Sequence, residues 1–150
     1  MPQQEAVTVL VPLSDSPASM HALRQAAAFA RQRRGKLCVV HVIEVMRALP
    51  LNAEMEPEAR RGEQLLRRAE EVARAEGMTI SGDLLQAREA AQAILDEAQE
   101  RGADIVVLGL RHQEGSGTIL GRTATAILRQ ATCEVWLIRE AVGDGTHPAR

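Results

Sequence analysis

Five short apolar runs, separated by four segments with helical spacing, constrain the fold of this chain more than any other feature. Val7–Leu13 (VTVLVPL), Leu37–Ile43 (LCVVHVI), Ile105–Gly109 (IVVLG) and Val135–Ile138 (VWLI) read as buried strands. They are rich in β-branched residues and too short for helices. Met78–Leu85 alternates weakly through Ile80 and Leu84 and reads as an edge strand. Between the runs, apolar residues recur every three or four positions, the period of one helical face. The faces are Met20, Leu23, Ala27 and Ala30; Leu65, Ala69, Val72 and Ala73; Ala87, Ala91, Ile94, Leu95 and Ala98; and Leu120, Ala124, Ile127, Leu128 and Ala131. The punctuation agrees. Ser16 stands at an N-cap with Pro17 behind it, Pro57 opens the second helix, and Gly35, Gly77 and Gly102 follow helices as C-terminal stops. Glu44–Glu56, interrupted by Pro50, reads as a loop with ragged helix.

The order is therefore β-α-β-α-β-α-β-α-β. Short, wholly apolar strands alternating with helices imply a parallel sheet covered on both faces. The expected architecture is a three-layer α/β/α doubly wound fold on a five-stranded parallel sheet, with right-handed crossovers. A chain of 150 residues is expected to form one domain over 1–150, with its core over about 7–139 and a frayed tail over 141–150. In such folds ligands bind beyond the C-terminal ends of the strands, at the topological switch point. The loops that matter are then Ser14–Pro17, Ile43–Pro50 and Gly109–Gly121.

Composition removes several function classes. Net charge is −2, and one Phe, one Trp and no Tyr leave almost nothing to stack on bases, so no nucleic-acid partner is expected. Cys38 and Cys133 form neither a CxxC pair nor a Cys/His cluster, so they read as small hydrophobes in a reducing compartment and no structural metal is expected. The N-terminus MPQQEAVT has neither a basic nor an apolar targeting region. No apolar run approaches the ~20 residues of a membrane span. The expected location is cytoplasmic.

The main chemical hint is IVVLGLRHQEGSGTILGR, Ile105–Arg122: an apolar run, a glycine-rich loop, then a helix start. That order makes an anion site from free backbone N–H groups and the helix dipole. The Gly115-Ser116-Gly117-Thr118 run is flexible, and Arg111, His112 and Arg122 add positive charge suited to phosphate. Neither a Walker A loop nor the dinucleotide Gly-x-Gly-x-x-Gly occurs. The loop is thus either a phosphate or nucleotide cradle or a plain connector. Asp15 could hold a ribose or a cation, or help to cap the first helix. His41 reads as a hydrogen-bonded structural residue near a strand end. Ser14 and Ser16 lie in no nucleophile elbow, and no residue is assigned a catalytic role. The helix over Arg60–Glu76 reads as a solvated face. The final strand (Val135, Trp136, Leu137, Ile138) reads as an edge, paired in a homodimer or covered by its own tail.

These segments also resemble the universal stress protein family over roughly Val7 to Arg139. VLVPLSDSPASMHAL is similar to its first strand and helix, VVHVIE to its second strand, AILDEAQERGADIVVLG to its third helix and fourth strand, and ILGRTATAILRQATCEVWLIRE to its closing helix and strand. The resemblance implies the adenine nucleotide alpha hydrolase-like arrangement, homodimers through the last strand, and, in one class of members, ATP. That class carries Gly-x-x-Gly-x9-Gly-Ser/Thr after the fourth strand. Here Gly109 matches the first glycine, His112 stands at the second, Gly121 falls 12 positions after Gly109 rather than 13, and Arg122 replaces Ser/Thr. Ser14 takes the position of the family's Asp, Asp15 that of the following Gly, and Arg88 that of a glycine before the third helix. The implied ligand contacts are Ser14, Asp15, Val42, Gly109, Arg111, Gly115, Gly117, Gly121 and Arg122, with His41-Val42 on the adenine side.

The reading that follows is a homodimeric binding and regulatory domain in stress response, without efficient turnover. No cofactor is assigned outright; ATP, AMP or another adenine nucleotide is the ligand class to test. Two other readings stay open: an ATP-binding member with slow hydrolysis, and a ligand-free adaptor that acts through protein partners.

Overall fold

A computed structural model describes residues 6–111 and 120–141 of the chain. Nine elements follow one another: β1 (Thr8–Pro12), α1 (Pro17–Gln32), β2 (Lys36–Glu44), α2 (Glu56–Ala75), β3 (Ser81–Ala87), α3 (Ala90–Glu100), β4 (Ile105–Leu110), α4 (Arg122–Gln130) and β5 (Glu134–Arg139). The five strands lie in the order β3-β2-β1-β4-β5, and every neighbouring pair is parallel. The expected three-layer α/β/α fold on a five-stranded parallel sheet is the one observed. The chain winds outward from β1 to β3, then returns to the other side of β1, so the switch point lies between β1 and β4.

Side-chain alternation assigns the layers. Val9, Val11, Val39 and Val107 pack with Met20, Leu23, Ala26, Ala27, Ala30, Ala69 and Ala73, so α1 and α2 cover one face. Leu10, Val40, Val106 and Leu108 pack with Ile94, Ala98 and Ile127, so α3 and α4 cover the other. Alanine dominates the buried stripe of α1, which lets that helix lie close on the sheet. Phe29 of α1 meets Trp136 of β5 edge-on, with ring centroids 4.6 Å apart, and ties the first helix to the last strand.

Several boundaries differ from the sequence reading, each for a local reason. Met78 is not in a strand: its N–H donates to the Ala73 carbonyl (2.9 Å) in the cap of α2, where Gly77 takes φ +82°. The third strand therefore starts at Ser81. It runs on to Ala87, which the sequence pattern placed on the next helix. Gly35 is not the left-handed residue after α1. Arg34 is, at φ +52°, with Arg34 N–H on the Arg31 carbonyl and Gly35 N–H on the Ala30 carbonyl. Glycine is required at 35 because a Cβ there would lie 2.3 Å from the Val7 carbonyl oxygen. Residues 45–55 hold no helix. Two turns, closed by Leu49 N–H on Met46 and Ala53 N–H on Pro50, replace the ragged helix. α4 is shorter than its pattern: Leu120 precedes it, Ala131 caps it, and of its residues only Ile127 is buried. The tail beyond residue 141 lies outside the described residues.

At the N-terminal end of the sheet, Arg101 joins three elements. It caps α3 and donates to Glu97 Oε2 (2.8 Å), Ser81 Oγ (3.2 Å), Cys38 Sγ (3.4 Å) and the Asp83 carboxylate. Glu97 first and Asp83 second hold its guanidinium above the ordinary arginine value. Both cysteines are free thiols; Cys38 is buried, and burial pushes the Cys133 thiol up.

Candidate functional site

The C-terminal ends of β1, β2 and β4 open at one end of the molecule. After β1, Ser16 Oγ accepts from Ala18 N–H (3.2 Å) and caps α1, with Pro17 beside it in the first turn, as the sequence suggests. Ser14 is engaged by the same turn: its N–H donates to Ser19 Oγ (2.8 Å), and the two hydroxyls lie 2.9 Å apart. Asp15 is exposed next to them.

β2 divides its residues between the two faces. His41 faces α2. Its Nδ1 lies 2.8 Å from the Leu13 carbonyl oxygen. A carbonyl can only accept, so Nδ1 is the donor in this bond. The bond fastens the end of β1 to β2. Gly62 of α2 makes room for this ring: a Cβ there would lie 3.0 Å from His41 Cδ2 and 2.6 Å from Leu84 Cδ1. Val42 packs with the core under α3 and α4. Two residues on, Glu44 projects to the same side, and its Oε2 accepts from Ala90 N–H at 2.9 Å. It thereby caps α3, whose own cap residue Glu89 makes no side-chain cap bond. Glu44 Oε1 lies 3.6 Å from Arg122 Nη2 at the first position of α4.

The starts of α3 and α4 thus flank a cleft of about 260 Å³, lined by Glu44, Arg47, Arg88, Glu89, Arg122 and Thr123 among others. Arg88 helps to shape the approach by donating to the Met46 (2.6 Å) and Val45 (3.3 Å) carbonyls. Gln86 donates to the Leu51 and Ala53 carbonyls (2.9 and 3.1 Å) and holds the rest of that loop. Around the end of β2, a second hollow of about 560 Å³ is lined by Asp15, His41, Val42, Glu44, Arg61 and Arg68, among others, so Glu44 borders both cavities.

The residues singled out in the sequence are therefore not all neighbours. Val42 and Arg122 share the α3/α4 side. Asp15, His41 and Val42 border the second hollow together. Gly109 turns toward α1: a Cβ would lie 2.2 Å from the Ala18 carbonyl oxygen, so the glycine permits packing of helix on strand. Gly121 is the N-cap of α4, where a Cβ would meet nothing within 4 Å among the described residues. Arg111 is exposed after β4, and Gly115 and Gly117 lie outside the described residues. Sequence reasoning missed Glu44, Arg47 and Arg88 as residues of the cleft. For Glu44 a signal existed, since it sits two residues beyond Val42 on the alternation of β2. Among the described residues, no three His, Cys, Asp or Glu side chains gather as a metal site, and no helix is long and apolar enough to cross a membrane.

The family model described as "Universal stress protein family" matches residues 7–139. The chain belongs to the universal stress protein family. A relative from Thermus aquaticus, named "Universal stress protein in QAH/OAS sulfhydrylase 3'region", is 33% identical over 139 residues, covering 88% of this chain and 98% of its own. A solved universal stress protein in complex with cAMP superposes with a TM-score of 0.70 at 22% identity, over 89% of this chain and 97% of that one. An Archaeoglobus fulgidus universal stress protein in complex with dAMP gives 0.69 at 23% identity, over 87% and 96%. At those identities the likeness establishes the fold. In this universal stress protein, Arg122 at the start of α4 faces Glu44 of β2.

Proposed function

We propose that this universal stress protein is a binding and regulatory domain whose ligand is an adenine nucleotide, held without efficient turnover. The observation that carries the reading is the convergence of two helix starts, α3 and α4, on a cleft that shares Glu44 with the hollow lined by Val42 and Asp15 at the open end of the sheet. Helix N-termini favour anions through free N–H groups and the dipole, and arginine adds bidentate phosphate contacts. Val42 would lie on the adenine side and the Ser14–Asp15 loop on the ribose side. Arg111 and Arg122 would meet the phosphate side, with Gly115, Gly117 and Gly121 in the loop between them. Gly109 would set the start of that loop. The relatives solved with cAMP and dAMP support the ligand class. Arg122 in place of Ser/Thr speaks against ATP turnover. The setting would be cytoplasmic stress response, within one domain.

Thermal unfolding with ATP, ADP, AMP, cAMP, dAMP and inorganic phosphate, each with and without magnesium, tests this. One adenine nucleotide should raise the midpoint saturably. The gain is about 2.7 kcal/mol at a hundredfold excess over Kd. A flat response to all six would sink the reading and favour the adaptor. That alternative has its own support in the exposed apolar loop after β2, where Met46 is 68% and Leu51 47% exposed.

The same proposal includes a homodimer through β5. That strand pairs with β4 on one side, and Leu137 is 38% exposed on it. A second copy would complete the free edge by strand pairing. Sedimentation should give a dimer for the parent chain and a monomer for Leu137→Glu. A monomeric parent chain would rule the dimer out.

A further inference from the structure

The same cleft carries a selectivity device, an inference that rests on the nucleotide reading above. Four observations combine. The start of α3 receives its capping acceptor from Glu44, a residue 46 positions earlier, while Glu89 gives none. The other oxygen of that carboxylate faces Arg122 at 3.6 Å. Gly121, the N-cap of α4, has no side chain to cap its helix, so among the described residues no side chain caps the α4 start. Finally, the three arginines lining the cleft, Arg47, Arg88 and Arg122, stand against two glutamates, Glu44 and Glu89, leaving one net positive charge.

We propose that Glu44 sets the phosphate charge this site accepts. Its carboxylate already occupies one of the two helix starts and offsets Arg122. What remains is a place for one phosphate group at α4. A single phosphate ester carries roughly 1.5 to 2 negative charges at neutral pH. The further phosphates of a triphosphate would meet the like charge of Glu44 at close range. The ligand class is therefore a nucleoside monophosphate, open or cyclic, in preference to a triphosphate. Glu44 is a specificity-determining residue with no part in chemistry.

Titration calorimetry with AMP and ATP on the parent chain, Glu44→Gln and Glu70→Gln tests it. Glutamine keeps an oxygen that can accept from Ala90 N–H and removes only the charge. Glu70 is exposed on α2 and controls for net charge. The parent chain should bind AMP more tightly than ATP. Glu44→Gln should raise ATP affinity about tenfold and AMP affinity less than about threefold, as a local Coulomb effect predicts. Glu70→Gln should leave the ratio unchanged. The inference is overturned if nucleotides bind but the ATP-to-AMP ratio is the same in Glu44→Gln and the parent, or moves equally in Glu70→Gln. If neither nucleotide binds the parent chain or Glu44→Gln, the nucleotide reading itself falls, and this inference with it.

Discussion

Gly109→Ala should melt well below the parent chain, while Gly121→Ala should melt close to it. Both glycines align with the family's phosphate-loop pattern, so a motif argument treats them alike. Their surroundings do not. An alanine Cβ at 109 would stand 2.2 Å from the Ala18 carbonyl oxygen and 2.6 Å from its carbon. Those are backbone atoms in the first turn of α1, which Ser16 caps and the Ser14–Ser19 bonds secure. No rotamer change relieves the clash, so β4 or α1 must move as a unit. Overpacking of this kind costs about 3 kcal/mol. In a chain of this size each kcal/mol lowers the midpoint by about 2–4 °C, so the expected fall is roughly 6–12 °C. At 121 the φ of −74° is ordinary and a Cβ meets nothing within 4 Å among the described residues, so the midpoint should fall only by the small cost of alanine at an N-cap. Calorimetry on the two variants decides; equal shifts would mean that Gly109 is not a packing residue.

Arg101→Met should cost about 2–3 kcal/mol, read as a lower urea midpoint with unchanged slope. The guanidinium serves Glu97, Asp83, Ser81 and Cys38 at once. Methionine keeps the aliphatic stem but leaves Glu97 and Asp83 facing each other without a cation. Partial exposure of the group keeps the loss below that of a fully buried pair. Arg101→Lys should recover less than half of it. One ammonium cannot reproduce the planar fork that reaches α3, β2 and β3 together. Full recovery by lysine would show that charge alone matters there.

The order of strands and helices was legible because the central strands are continuous apolar runs, buried as such in β1, while the helices repeat a three-to-four-residue period that burial follows in α1. Errors fell where a single residue had two competing readings. Met78 and Ile80 are apolar and pack on the core, but they do so from the exit of the α2 cap. Gly35 looked like a helix stop, whereas it exists because β1 passes close by, and Arg34 took the left-handed position instead. The site followed the same rule. Topology pointed to the loops after β1, β2 and β4, and Val42 does lie at that end, in the hollow that shares Glu44 with the cleft. Glu44 escaped notice because its capping bond joins residues 46 apart, and no local pattern records such a partner. Gly109 was singled out for ligand contact, but the reason for its lacking a side chain lies in α1.

The meeting of Phe29 and Trp136 has an optical consequence. The chain holds one Trp, one Phe and no Tyr, so nearly all of its near-ultraviolet absorption and its emission come from a single indole. That indole rests edge-on against the ring of α1 and sits on the strand at the sheet's margin. The protein therefore carries a fluorophore of its own at the seam between its first helix and its last strand. Its emission reports whether that seam is closed, with no dye attached.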